Sequence, residues 1–148
     1  MISNEKIKRN YCWGAKMKFY VASKLENYEQ VRYVSNKLKG NGWIHTYDWT
    51  QHGSVKSVST EKLKEVAMQE FQGVIDADVV IVLTPQGRGT HVELGVAITL
   101  NKKIFIWHED DKYFQCTDDT SSFYWLPDIN RCCSSIDDFI DMLIKNED

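Results

Sequence analysis

The stretch Ala77–Leu100, ADVVIVLTPQGRGTHVELGVAITL, decides how the rest of the chain is read. Val79–Leu83 is an unbroken aliphatic run, the pattern of a parallel strand covered on both faces. Pro85, Gly87 and Gly89 break the run, and Thr90–Asn101 resumes at helical period, apolar nearly all round (Val92, Leu94, Val96, Ala97, Ile98, Leu100). A strand that ends in a glycine-containing loop and restarts as a helix is where open α/β sheets bind ligands. On this spacing the helix opens on Thr90 and carries Glu93 in its first turn. Thr90-His91-Val92-Glu93 reads as a capping box, the glutamate folding back on the Thr90 amide. The position has a second use. The helix dipole holds Glu93 ionised beside an open loop, the state of a nucleophilic carboxylate.

Upstream, Thr60–Ile75 puts Leu63, Val66, Ala67, Phe71 and Val74 on one helical face, and Glu70 falls on that face too. Such a carboxyl either reaches out along the helix edge or sits among apolar groups with a raised pKa that suits it to protonate a leaving group. Two carboxyls in unlike environments is the logic by which retaining glycosidases separate nucleophile from acid. Lys18–Ser23 (KFYVAS) is the first strand. Asn27 and Gln30 form a capping pair ahead of a helix lined by Val31, Val34 and Leu38, which Gly40 and Gly42 stop. Trp43–Tyr47 is the second strand, and Asp48–Ser59 is a loop of the length that is usually functional.

Downstream come a fourth strand at Lys103–Trp107, a long acidic and aromatic loop at His108–Leu126 and a weak strand at Ile129–Cys133. Ser135 then caps a helix with Ile136, Phe139, Ile140 and Leu143 facing in. The alternation predicts an α/β fold: a flavodoxin-like or Rossmann-like three-layer sandwich on a five-stranded, mainly parallel sheet. One domain is expected over 17–148. Residues 1–16 are polar and read as an N-terminal extension without the apolar core of a secretory signal.

Composition narrows the partners. The chain has 148 residues, is 43% hydrophobic and 26% charged, and carries a net charge of −3 with no basic run to track a phosphate backbone, so polymeric nucleic acid is not an expected partner. Its apolar runs are too short to span a membrane. Cys12, Cys116, Cys132 and Cys133 form no C-x-x-C and read as free thiols in a reducing cytoplasm. No metal site is expected: His91 and Glu93 do not share a helix face, and His108 with its acidic neighbours reads as a solvated loop. Thr84–Gly89, with Arg88, could cradle a phosphate, although its spacing fits neither common phosphate fingerprint. Ser23 and Lys24 end the first strand on the same sheet edge and could share that anion. Tyr47, Asp48 and Trp49, just past the second strand, could stack on and hydrogen-bond a planar base, or serve as a core lid.

The run DADVVIVLTPQGRGTHVELGVAI, together with KFYVAS, resembles the nucleoside 2-deoxyribosyltransferases and their nucleotide N-glycosidase relatives over roughly Met17 to Trp107. The resemblance implies an enzyme that cleaves or exchanges the N-glycosidic bond of a nucleoside or nucleotide, without a cofactor. Glu93 takes the place of the nucleophile and Glu70, eight residues before Asp78, that of an aspartate acid. The first-strand tyrosine that holds the nucleophile falls on Phe19, with Tyr20 adjacent, and a polar loop residue is replaced by Gly87. Ser23, Lys24 and Gly87, Arg88, Gly89 and Thr90 are the expected sugar or 5′-phosphate contacts, and Tyr47, Asp48 and Trp49 the base contacts. The resemblance also implies a homodimer or higher homo-oligomer, with Ser121, Ser122, Phe123 and Tyr124 the candidates to complete a neighbour's site. The alternatives are a nucleoside 5′-monophosphate N-glycohydrolase and a non-catalytic nucleotide-binding module.

Overall fold

The computed structural model describes residues 16–146, so the expected extension 1–16 lies, except for Lys16, outside the described residues. Five strands form one sheet: β1 (Lys18–Ser23), β2 (Ile44–His45), β3 (Val79–Leu83), β4 (Lys103–His108) and β5 (Ile129–Cys133). Their order is β2-β1-β3-β4-β5 and every pairing is parallel, with Phe19 opposite Val79 and Ser23 opposite Leu83 at the centre. All five residues of β3 are buried, as the unbroken aliphatic run requires of a strand covered on both faces. Helices α1 (Tyr28–Gly40) and α4 (Ile136–Lys145) pack together on one side. On the other, α2 (Thr60–Asp76) packs against α3 (Arg88–Thr99). This is the flavodoxin-like order, in which the chain reverses direction across the sheet between β1 and β3 and leaves a crevice at their carboxyl ends.

Four expectations change in detail. β2 is only Ile44–His45, because the chain beyond it leaves the sheet to form a single 3-10 turn at Trp49–Gln51. Asn27 precedes α1 but makes no cap; its amide donates to Ser23 Oγ (2.9 Å) and to Thr84 O (3.3 Å). On α2 the sheet side is Val66, Gly73 and Val74, while Leu63, Ala67 and Phe71 are exposed. The fourth is the start of α3. The helix begins at Arg88, two residues before the expected Thr90, and the Thr90 hydroxyl accepts the Gly87 N–H at 3.0 Å. Thr90 therefore caps from the third helical position, and Glu93 lies in the second turn rather than the first.

Candidate active site

Alternation along β1 sends Tyr20 toward α2 and α3 and Phe19 to the opposite face. Phe19 is fully buried, stacked on His45 with ring centroids 4.6 Å apart and tilted against Trp43, so no ligand at the β1–β3 crevice reaches it. Tyr20 is also fully buried, and its hydroxyl closes no well-formed hydrogen bond among the described residues. Gly73 makes room for it. A Cβ at Gly73 would lie 2.8 Å from Tyr47 Cβ and 3.0 Å from the Tyr20 ring, so only glycine lets α2 approach this closely.

Glu93 faces the same layer. Burial pushes its carboxyl up to about 8; the Tyr20 hydroxyl beside it pulls the value down, and Glu70 pushes it further up. This reverses the expected ionised state. The helix-terminal field fades beyond the first turn, and Glu93 is the sixth residue of its helix. Nor does Glu93 cap: its Oε2 is buried without a partner. Tyr20 and Glu93 thus hold two facing polar atoms that interact electrostatically without closing a well-formed bond, as catalytic pairs often do before a ligand tightens them. The Tyr20 hydroxyl is raised well above its ordinary value by burial first and by Glu93 next. Glu70, half-buried on α2, is raised by burial and partly lowered by His52. Tyr47 donates to Gln69 Oε1 (3.0 Å), and its ring lies obliquely 6.1 Å from that of His52. Tyr20, Glu93, Glu70, Tyr47 and His52 therefore form one electrostatically linked group.

The other expected contacts separate into two sets. Trp49 and Asp48 belong to the frame. The Trp49 ring is buried and its indole N–H donates to Val21 O at 2.7 Å, which removes it from any base-stacking surface. Asp48 accepts from Thr50 N, Thr50 Oγ1 and Gln51 Nε2, bonds that hold its carboxyl below the usual carboxylate range despite partial burial. Ser23 donates to Leu83 O (2.7 Å) and receives the Asn27 amide, while Lys24 N donates to Pro85 O (3.0 Å). Together these stitch the ends of β1 and β3, and the Ser23 hydroxyl is occupied within the chain. Arg88 and the Lys24 side chain are exposed at the rim, Lys24 Cγ lying 3.7 Å from where a Gly87 Cβ would be. Gly89 lies against the carboxylate, a Cβ there falling 3.7 Å from Glu93 Oε1.

Ser121–Tyr124 sit across α3 from Glu93. Tyr124 is buried against its own chain, its hydroxyl 2.8 Å from His91 Nε2, and Ser121 Oγ accepts the Phe123 N–H. Ser122 and Phe123 are exposed. A groove of about 530 Å³ lies between this loop and α3. Among the described residues no three His, Cys, Asp or Glu side chains are grouped to hold a metal ion, and no helix is long and apolar enough to cross a membrane.

A family model described as nucleoside 2-deoxyribosyltransferase matches residues 19–141. The chain belongs to this family. Solved structures with the fold of this nucleoside 2-deoxyribosyltransferase relative include the CMP N-glycosidase BcmB of Clostridium botulinum, 15% identical over 85% of this chain and 97% of that one, with a TM-score of 0.56. A conserved protein from Enterococcus faecalis V583 is 18% identical over 89% of this chain and 99% of that one, with a TM-score of 0.58. At these identities the likeness is one of fold. No curated protein matches the chain. In this nucleoside 2-deoxyribosyltransferase fold it is Tyr20, one residue on from the expected Phe19, that shares a layer with Glu93. Sequence reasoning missed one member of the group, His52, and two residues that support it, Gly73 and Gln69. Only His52 left a signal, a histidine followed by glycine inside a polar loop.

Proposed function

We propose that the chain breaks the N-glycosidic bond of a nucleoside or nucleotide, with Glu93 as nucleophile and Glu70 as acid. The observation that carries this is the buried Glu93 carboxyl, its Oε2 unpartnered, facing the unpartnered Tyr20 hydroxyl with Glu70 within electrostatic reach. Polar atoms left unpaired in a core are costly, and a ligand that supplies the missing bonds relieves that cost. In the reaction a Glu93 oxygen attacks C1′ and the C1′–N bond breaks with its electron pair going to the base, which takes the proton held by Glu70. The product is a glycosyl ester on Glu93. Water or a second base then attacks C1′, frees the Glu93 carboxylate and returns a proton to Glu70. Tyr20 steadies Glu93 between the two steps, and Tyr47 lies beside the base.

The exposed side chains of Lys24 and Arg88, flanking the β3–α3 loop, favour a 5′-monophosphate over a bare nucleoside. This supports the N-glycohydrolase form of the reading. The test is incubation with deoxynucleosides and their 5′-monophosphates, with and without a free acceptor base. Base release without an acceptor marks a hydrolase, and exchange only with one marks a transferase. Saturable binding without turnover would replace both with a nucleotide-binding module.

A further inference from the structure

The loop between β2 and α2 holds a polar atom that nothing among the described residues satisfies. His52 Nδ1 lies 2.8 Å from Gly53 O. A carbonyl only accepts, so Nδ1 carries the proton, and in the neutral ring Nε2 is a bare acceptor. That Nε2 is shut off from solvent and has no hydrogen-bond partner among the described residues, a costly state unless a donor arrives.

The ring is held in place by its surroundings. Arg32 clamps the preceding turn through Thr50 Oγ1 (3.1 Å) and Thr50 O (2.7 Å), Asp48 caps that turn, and Trp49 anchors it to Val21 O. Gly53, at φ +63°, takes the left-handed conformation that turns the chain just past the ring. Asp48 and Trp49, expected to touch a base themselves, instead fix the residue that follows their turn. His52 in turn sits beside Tyr47, whose hydroxyl donates to Gln69, the neighbour of Glu70 on α2.

We propose that His52 Nε2 accepts a hydrogen bond from the exocyclic amino group of the leaving base, with the Glu70 carboxyl donating to the ring nitrogen next to it. The inference rests on the N-glycosidic reading and names its substrate class. An acceptor beside a donor complements an N–H beside a bare ring nitrogen, the edge shared by cytosine and adenine. Uracil and hypoxanthine present a carbonyl beside an N–H and meet both protein groups wrongly. The substrates are nucleosides or nucleotides of amino-bearing bases.

The test compares kcat/KM for cytidine against uridine and for adenosine against inosine, each as deoxynucleoside and as 5′-monophosphate. Within the matched pairs that are cleaved, the expected preference for the amino member is at least about a hundredfold, within the roughly 10⁴-fold or more by which sites built on hydrogen bonds reject a partner that leaves them unpaired. In His52→Phe that ratio collapses toward unity because the amino substrates selectively lose kcat/KM. In His52→Gln, whose amide oxygen reaches the place of Nε2, a large part of the ratio returns. Equal use of amino and oxo substrates by the unaltered protein overturns the assignment, as does a uniform loss on all substrates in His52→Phe. If nothing is cleaved, the N-glycosidic reading falls, and calorimetric binding of free cytosine against uracil decides for His52 alone. A cytosine preference abolished in His52→Phe supports its role, and no preference overturns it.

Discussion

At Glu93 burial and chemistry pull in opposite directions. A carboxyl pushed up to about 8 is protonated at neutral pH, whereas attack on C1′ needs the anion. For the free enzyme kcat/KM should therefore climb with pH along a limb centred near 8. A profile flat from pH 6 to 9 would remove Glu93 from the nucleophile's role. Tyr20→Phe deletes the hydroxyl that lowers the Glu93 value, so that limb should move to higher pH. The melting temperature should stay close to that of the unaltered protein, since the hydroxyl closes no well-formed hydrogen bond. Stability follows the same sign. The folded state disfavours the Glu93 anion, so it bears no penalty below the ordinary value of 4.5, a growing one up to about 8 and a constant one above. Glu93→Gln, which has no such anion, should match the unaltered protein near pH 4 and exceed it by pH 8 by on the order of 4 kcal/mol, or several degrees of melting temperature. Its turnover should fall at least about a thousandfold. Thermal melts across pH and single-turnover assays check the two halves.

Among the elements, α2 and its glycine set the geometry of the site. Gly73→Ala should destabilise by about 1–3 kcal/mol and raise KM, because the added carbon meets Tyr47 and the Tyr20 ring. Gly95→Ala on α3 is the contrast. It meets nothing within 4 Å and should be neutral or gain up to about 1 kcal/mol in a denaturant titration. The elements themselves were largely legible. β3 was plain because an aliphatic run of that length fits only a strand buried on both faces, and α4 because Ser135 caps it as expected, accepting the Asp138 N–H. The start of α3 was not legible, because Gly87 offers no side chain to mark it and the Thr90 hydroxyl mimics a cap from inside the helix. The exposure of Leu63, Ala67 and Phe71 was hidden for a related reason. Periodicity finds an apolar face, but Gly73, invisible to hydrophobic counting, determines which side of it approaches the sheet. The helix positions of Glu70 and Glu93 could be counted from the sequence, whereas the setting of His52 could not, because it is made by bonds from Arg32 to Thr50 and from Trp49 to Val21, partners distant in sequence.

For the whole molecule, the strand order was legible from the alternation of strand and helix, since right-handed crossovers leave few parallel arrangements. The outer surface of α2 and α3 extends the argument beyond one copy. Met68, Phe71 and Val92 are 63%, 52% and 66% exposed, and apolar groups gathered this way on neighbouring helices are characteristic of a surface that meets a partner. Sizing by light scattering should give at least twice the chain mass, and Met68→Glu with Phe71→Glu should reduce it to one while leaving the fold intact. Within a single copy, the stitch of Ser23, Asn27, Lys24 and the backbone carbonyls of Leu83, Thr84 and Pro85 ties the β1–β3 ends together. Depth then imposes an order on events. On the proposed reading the sugar carbon must reach Glu93, which is more enclosed than Glu70, while the base rests against the half-buried Glu70 and His52. On the proposed chemistry the base departs first, while the sugar is still tethered below it. The free base can therefore return before water does, and isotopically labelled base should scramble into unreacted substrate.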